Sequence, residues 1–336
     1  MPEVPVSRYF HGLRIGNTVF NSLPIILAPM EDITDPPFRT LCKELGADWV
    51  YTEFISADGL IRDAVKSLHK LDIYPQERPV SIQLFGADTE AMVRAAKVAE
   101  QASPDFIDIN FGCPVRKVAS KGAGSGIMND VPKMVHMTRR IVEAVGIPVT
   151  VKTRLGYDQQ LKNIKDIAER LQDCGIAALA IHGRTRDQMY RGLADWTLIG
   201  EVKNNPRMHI PIIGNGDIAD GKSAAHALDT YGVDGIMIGR AATGNPWVFR
   251  EVKHYLNTGE QIQKPPLSEK LDICRRHVAM SVKWKGEKTG LFEMRRHYCQ
   301  YFKEIPHFKP IRMRLVTADT LEKLEVILHE IETKFC

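Results

Sequence analysis

The sequence predicts an α/β protein: a (β/α)8 TIM barrel over residues 1–255, followed by a smaller all-helical domain over residues 256–336. Three observations carry this reading. Eight short β-branched runs recur, each followed by a segment of helical periodicity. The runs are continuously apolar rather than alternating, which suits parallel strands covered on both faces. Polar or charged residues stand where nearly every run ends, and the C-terminal end of a barrel strand is where such folds place their reactive groups. A doubly wound open sheet is the alternative architecture. The glycine fingerprint it needs after its first strand is absent, because that run ends Ala28-Pro29-Met30.

In order, the runs are residues 25–28, 49–53, 80–84, 106–109, 149–152, 178–181, 210–213 and 235–238. Between the third and fourth, Asp88 is placed to cap a helix on which Met92, Ala95, Ala96 and Ala99 share a face. Residues 163–175 repeat the pattern, with Ile164, Ile167, Ala168 and Leu171 inward and Gly175 as a stop. Cys42 and Cys174 fall on predicted helices as packing residues. After residue 256 the style changes. Gln263-Lys-Pro-Pro-Leu267 reads as a linker, and helices are predicted over residues 268–285, 290–302 and 320–335. Met294, Tyr298, Tyr301 and Phe302 form an apolar face in this reading, with Arg295, Arg296 and Lys303 toward water.

The strand ends carry, in turn, Pro29 and Met30, Glu53, Gln83, Asn110 and Cys113, Lys152 and Arg154, His182 and Arg184, Asn215 and Asp217, and Gly239 and Arg240. Asp108-Ile-Asn110-Phe-Gly112-Cys113-Pro114 sets a lone thiol on a loop past a buried strand. The glycines of Lys121-Gly122-Ala-Gly124-Ser-Gly126 are read as permitting close approach of a ligand to the backbone. Cys113 has no local Cys–His signature of an activated nucleophile. A thiol near its reference pKa of ~8.5 is protonated at neutral pH and suits an acid role. The loops Gly214-Asn215-Gly216-Asp217 and Gly239-Arg240 follow the seventh and eighth strands, where barrels often bind phosphate through backbone N–H groups. Lys152, deep in the mouth, needs an anion or electron-rich ring atoms to offset its burial, or else an ion pair with Glu53. A flavin, which gathers negative charge on reduction, meets that need, and Gln83 can both donate to and accept from such a ring. His182 is read as a ligand contact beside Lys152 and Arg184.

Composition excludes several classes. No run approaches the ~20 apolar residues of a membrane span, and the N-terminus lacks the apolar core of a signal peptide. The six cysteines are scattered with no Cys-x-x-Cys pair, against a disulfide framework or a structural metal site. A cytoplasmic monomer without metal is expected. Residues 1–250 balance 29 basic against 29 acidic residues, so the net charge of +4 comes from the tail; residues 275–314 alone hold 11 basic and 3 acidic residues. Such a stretch is either a solvated helical face or a phosphate-backbone contact surface.

At this point the residues resemble the tRNA-dihydrouridine synthase family over most of the chain. Ala28-Pro-Met-Glu-Asp-Ile-Thr-Asp-Pro-Pro-Phe38-Arg39 is similar to the family's first-strand signature. Gln83-Leu-Phe-Gly86, Asn110-Phe-Gly-Cys-Pro114, Val151-Lys-Thr-Arg154, Ile181-His-Gly-Arg-Thr185, Gly214-Asn-Gly-Asp217 and Ile238-Gly-Arg240 follow in family order, and Arg295-Arg-His297 resembles an element of the tail. The details are most similar to the bacterial B-type branch. The resemblance implies an FMN-bound barrel that uses NADPH to reduce tRNA uridines to 5,6-dihydrouridine, with the helical domain gripping the tRNA. On this chain it implies that Pro29, Met30, Glu31, Gln83, Lys152, His182, Asn215, Gly216, Asp217, Gly239 and Arg240 hold FMN. It implies that Asn110, Lys152, Arg154, His182 and Arg184 border the target base, and that Arg295 and His297 meet the tRNA. Hydride then goes to carbon 6 of the uracil, and Cys113 protonates carbon 5 from the opposite face. The target uridine is extruded into the pocket, and the basic tail supplies a grip independent of sequence. One departure stands out: Glu31-Asp32 occupies positions where the family has small residues.

Three other readings follow from the same residues. An FMN-dependent reductase or dehydrogenase of a free pyrimidine, similar to dihydroorotate dehydrogenases, gives the basic tail no task. A tRNA-binding protein with an incidental barrel leaves the strand-end groups without one. A flavin-free phosphate-binding barrel, such as an isomerase or synthase, is the third.

Overall fold

The computed structural model describes Tyr9, residues 12–303 and residues 305–336. A hairpin comes first: β1 (Leu13–Ile15) and β2 (Thr18–Phe20) pair antiparallel around Gly16-Asn17, with Gly16 at φ 56°. A Cβ on Gly16 would stand 2.3 Å from the Pro148 ring, at the entry to a barrel strand, so the hairpin covers the N-terminal end. Its strands are too short for the alternation that betrays strands in sequence.

The parallel sheet comprises β3 (Ile25–Leu27), β4 (Val50–Tyr51), β5 (Ile55–Ser56), β6 (Val80–Phe85), β7 (Phe106–Asn110), β8 (Val149–Arg154), β9 (Ala178–His182), β10 (Ile212–Asn215) and β11 (Gly235–Ile238). Neighbours run β3-β11-β10-β9-β8-β7-β6-β4. A parallel bridge between Ile26 and Trp49, with the Leu27 N–H donating to the Trp49 carbonyl at 2.9 Å, joins the two ends into a barrel. All eight predicted runs are strands of it. The second is β4; β5, just past the end of that run, is an addition and pairs with β6 as β4 does. The seventh starts two residues late, at Ile212, because Pro211 has no N–H for the ladder.

Helices clothe the barrel: α1 (Pro36–Glu44), α2 (Ala57–Leu60), α3 (Val65–His69), α4 (Thr89–Gln101), α5 (Arg116–Ala119), α6 (Val131–Ala144), α7 (Ile164–Gln172), α8 (Thr197–Lys203), α9 (Gly221–Tyr231) and α10 (Val248–Thr258). Local chemistry fixes their ends. Asp35 accepts from the Phe38 N–H with two prolines in the first turn of α1, and Asp88 accepts from the Ala91 N–H at the start of α4. Asp220 and Ser223 form a reciprocal capping box on α9, which ends at Gly232 in the left-handed region. Cys42 lies on α1 and is buried; Cys174 sits in the turn just past α7, its thiol donating to the Arg170 carbonyl.

Alternate strand residues separate two cores. One face packs against the helices. The other fills the barrel, where Trp49 stacks on Tyr51 (5.1 Å between centroids) and meets Phe106 (4.7 Å), with Ile15 and Phe20 of the hairpin closing the bottom.

The last barrel helix, α10, runs to Thr258, past the boundary expected at 255. Residues 259–266 carry no helix or strand. Beyond them lie α11 (Leu267–Lys285), α12 (Glu287–Tyr301), α13 (Lys309–Thr317) and α14 (Leu321–Phe335). Their core includes Cys274, Met294, Tyr298, Tyr301, Leu315 and Leu328, and takes in Leu41 and Trp247 from the barrel. Helix α13 is an addition to the sequence reading. It buries only Ile311 and Leu315, too narrow a stripe to stand out. No helix among the described residues is long and apolar enough to cross a membrane.

Candidate active site

The pleat decides which strand-end residues face the barrel mouth. Phe106 points into the barrel, so Asp108 and Asn110 do too, and on the paired strand Thr150 and Lys152 follow the same register. Above them a cavity of about 760 Å³ opens at the C-terminal ends of the strands, within the ~300–1,000 Å³ usual for cofactor sites. Pro29, Met30 and Glu31 line it from the first loop, and Asn110 and Cys113 from the fourth. Lys152, Arg154 and His182 form its floor and one wall. Asn215, Gly216, Asp217, Gly239 and Arg240 form the opposite end.

The Cys113 loop is held by its own backbone groups. The Asn110 side-chain oxygen accepts from the N–H groups of Gly112 (3.0 Å) and Cys113 (2.8 Å), while the Cys113 carbonyl accepts from the N–H (3.0 Å) and hydroxyl (2.8 Å) of Ser125. Arg154 Nε donates to the Gly112 carbonyl at 2.6 Å. The glycines past Cys113 serve this fold-back rather than a ligand. A Cβ on Gly124 would stand 2.8 Å from the Cys113 carbonyl oxygen, one on Gly126 would stand 2.1 Å from that of Ala119, and neither glycine lines the cavity. Burial pushes the Cys113 thiol pKa up, with Arg154 and Lys152 opposing, so the thiol is protonated at neutral pH.

Lys152 is the opposite case. Burial first, then the Arg154 charge, lowers its pKa to about 8, with Asp108 working the other way. Glu53, the alternative partner weighed from the sequence, belongs elsewhere: it lies 3.5 Å from Lys70, and burial raises its pKa to about 7. His182 accepts at Nε2 from Arg184 Nη1 (3.1 Å). Burial, helped by Arg154 and Lys152, holds this imidazole well below its usual pKa, so it is neutral and carries its proton on Nδ1.

The phosphate-loop expectation divides. Gly214 faces outward, where an added Cβ would stand 2.0 Å from the Trp196 ring. Trp196 Nε1 donates to the Gly216 carbonyl (2.9 Å), so this packing sets the loop. Gly216, at φ 129°, passes close to His182 and Ala194, and a Cβ on Gly239 would meet Ala28 and Met30 at ordinary contact distances of 3.6 and 3.7 Å. Asn215 donates to the Met237 carbonyl (2.7 Å). Asp217 accepts from Arg184 (2.6 Å) and Arg240 (2.9 Å), which hold its carboxyl below its ordinary pKa.

Four predicted contacts lie outside the cavity. Gln83 is fully buried beneath it and does not line it; its Nε2 donates to Asp108 and its Oε1 accepts from Asn110. Arg184 is buried behind Asp217 and supports the wall without lining it. His297 is 3% exposed, its ring against Phe38 and His277 and its Nδ1 accepting from the Gly244 N–H; it joins α12 to the barrel and has no surface for RNA. Arg295 rests on the Phe292 ring, away from the cavity. Glu31 lines the rim but is committed to Lys70 at 2.6 Å. Glu31, Asp32 and Glu53 bring carboxylate oxygens within 4.8 Å of one another, and Lys70 and Arg296 supply the counter-charges.

Other lining residues escaped the sequence reading. Tyr190, in the loop after β9, has the guanidiniums of Arg154 and Arg240 at 5.7 and 5.2 Å from its ring; an aromatic in a mouth-facing loop was the available signal. Gln300 and Lys303 reach the cavity only through docking of α12, for which the sequence carries no signal.

A closed parallel barrel with a thiol and a cationic floor at its C-terminal mouth defines a TIM-barrel enzyme. The model of the dihydrouridine synthase family matches residues 26–334, and the chain belongs to that family. It is 42% identical over 303 residues to a tRNA-dihydrouridine synthase B from Pseudomonas putida, covering 90% of this chain and 89% of the relative. A tRNA-dihydrouridine synthase B from Xanthomonas campestris is 41% identical over 298 residues, covering 89% of each. Among solved structures, a histamine dehydrogenase from Rhizobium sp. 4-9 superposes with a TM-score of 0.58 at 13% identity over 81% of this chain. The chain spans about half of that protein (51%), and the likeness is one of fold alone.

Proposed function

We propose that this oxidoreductase binds FMN in the barrel mouth and reduces uridines of tRNA to 5,6-dihydrouridine, with NADPH as the reductant. One observation carries the reading: Cys113, Lys152 and the Gly239-Arg240 turn line a single cavity. The donor set fits a flavin nucleotide. Lys152 makes no hydrogen bond or ion pair to any described side chain, so its ammonium is available to an electron-rich ring. Gly216, Gly239 and Arg240 offer backbone N–H groups and a guanidinium to a phosphate. Asn215, Met30 and Pro29 complete the walls.

When bound, FMN supplies the hydride that goes to carbon 6 of the uracil. The protein supplies the rest. Asn110, Arg154 and neutral His182 orient the extruded base, the target nucleotide having left its stack to reach the barrel. The Cys113 thiol gives its proton to carbon 5, and its raised pKa keeps that proton in place until needed. Lys152 balances negative charge gathered by the reduced ring.

Purified protein should be yellow, bleach with NADPH, and raise the dihydrouridine content of tRNA read by nucleoside mass spectrometry. Cys113→Ala should keep the flavin and lose turnover by about 10²–10⁴-fold, the span of a general acid. Parental turnover by that variant, or a colourless protein that takes up no FMN, defeats the reading. Turnover of free uridine as fast as tRNA points instead to a small-molecule reductase.

A further inference from the structure

Beneath the cavity lies a buried carboxylate that the mechanism above does not use. Asp108 is fully buried. Its two oxygens accept from the Thr150 hydroxyl (2.6 Å) and from Gln83 Nε2 (2.6 Å). Gln83 Oε1 accepts from Asn110 Nδ2 (2.8 Å), and Asn110 Oδ1 accepts from the N–H groups of Gly112 and Cys113. The chain has one permitted direction. An ionised carboxylate only accepts, so Gln83 must turn its nitrogen down and its oxygen up. Asn110 must then turn its nitrogen toward Gln83 and its oxygen toward the loop. Reversing either amide sets like groups against each other in a buried site, where the mismatch goes unrelieved.

We propose that Asp108 is a positioning residue: through the fixed orientation of Gln83 and Asn110, it sets the backbone of Cys113 and hence the aim of the thiol. The inference rests on reading Cys113 as the proton donor. It gives the Asp-Ile-Asn spacing a physical meaning, since residues two apart on β7 share the inward face and Gln83 on β6 spans them. The rival role for Asp108 is simple charge balance for Lys152. The two roles part company when the charge is removed and the acceptor is kept.

The test compares Asp108→Asn, Asp108→Leu and Gln83→Met with the parent. Three quantities are measured: turnover on tRNA, FMN affinity by fluorescence quenching, and the rate at which iodoacetamide alkylates Cys113 in flavin-free protein, read by peptide mass spectrometry. Asp108→Leu and Gln83→Met should each slow turnover by roughly tenfold or more, the cost of one buried hydrogen-bonding group left unmade. Both should change the Cys113 alkylation rate several-fold and leave FMN affinity within about twofold. Asp108→Asn can still accept from Gln83 Nε2, so it should stay within about threefold of the parent on every measure. If Asp108→Asn loses as much as Asp108→Leu, charge and not amide orientation is what matters, and the proposal fails. It also fails if Gln83→Met reacts and turns over like the parent. Should Asp108→Leu not fold, the contrast between Asp108→Asn and Gln83→Met decides alone. Failure of the underlying reading looks different: Cys113→Ala would then turn over normally, while alkylation would still report whether the relay holds the loop.

Discussion

Arg296, on α12, binds Asp32 in the first barrel loop, with Nη2 2.9 Å from the carboxylate and Nη1 3.2 Å from the Asp32 carbonyl. Asp32 sits at φ 55°, a left-handed conformation that aspartate tolerates better than most residues. The Glu31-Asp32 pair is thus spoken for, Asp32 by the helical region and Glu31 by Lys70.

A second contact between the same regions is buried, and the difference sets the first prediction. Lys285 bridges Asp35 (2.7 Å) and Glu293, and all three are largely hidden from solvent. Lys285→Met strands buried carboxylates and should destabilise by about 3–5 kcal/mol. Arg296→Ala breaks a pair more than a third exposed and should cost about 0–1 kcal/mol. Urea unfolding followed by tryptophan fluorescence measures both; equal losses contradict the assignment.

The helices of the tail were legible in outline because their apolar faces are wide. Its task was not legible, because charge in a sequence does not show its partners. Arg275 binds Glu325 and Glu332, Arg276 binds Glu44, and Arg314 binds Glu330. Part of the basic stretch is therefore paired within the fold rather than free to meet an outside anion. The barrel read well for a physical reason: strands covered on both faces are continuously apolar, and the pleat passes from sequence to structure unchanged. Gln83, Arg184 and His297 carried polar labels that suggested ligand contact, yet each is bonded to neighbours the sequence does not reveal and none lines the cavity. Gln300 and Lys303 had no local signal at all.

The second prediction concerns RNA affinity. Arg116, Lys117 and Lys121 surround the Cys113 loop, are exposed, and have no ion-pair partner among the described residues. Neutralising them should flatten the salt dependence of tRNA binding by about 0.7–0.9 in log–log slope for each phosphate that no longer meets a cation. Arg275→Ala and Arg314→Ala, whose charges are already paired, should leave that slope unchanged. Filter binding from low to moderate salt separates the two sets.

The third prediction is a pH dependence. Lys152 titrates near pH 8 before any anion is bound. Its folded pKa lies below its unfolded value, so neutral lysine is the easier form to bury. An electron-rich or anionic ligand selects the charged form and must recruit a proton above that pH. FMN affinity should be flat below about pH 7 and fall by up to about tenfold per pH unit above pH 8. Lys152→Met should bind more weakly and lose the bend in the profile. Fluorescence titrations at several pH values read both.

The fourth prediction is steric. Gly214→Ala drives a methyl group into the Trp196 ring, which steadies the Gly216 carbonyl. A stability loss of about 1–3 kcal/mol is expected, together with weaker FMN binding as the loop moves. Unchanged flavin affinity in a folded variant contradicts the link.

The small hairpin at the other end has a consequence for traffic. Ile15 and Phe20 stopper the barrel below and aromatic rings fill its shaft, so the mouth is the doorway that the described residues leave open. In the proposed reaction, electron donor and nucleic acid therefore cross the same threshold, one after the other. A barrel with one such opening would have the two take turns there, one delivering electrons and the other collecting them.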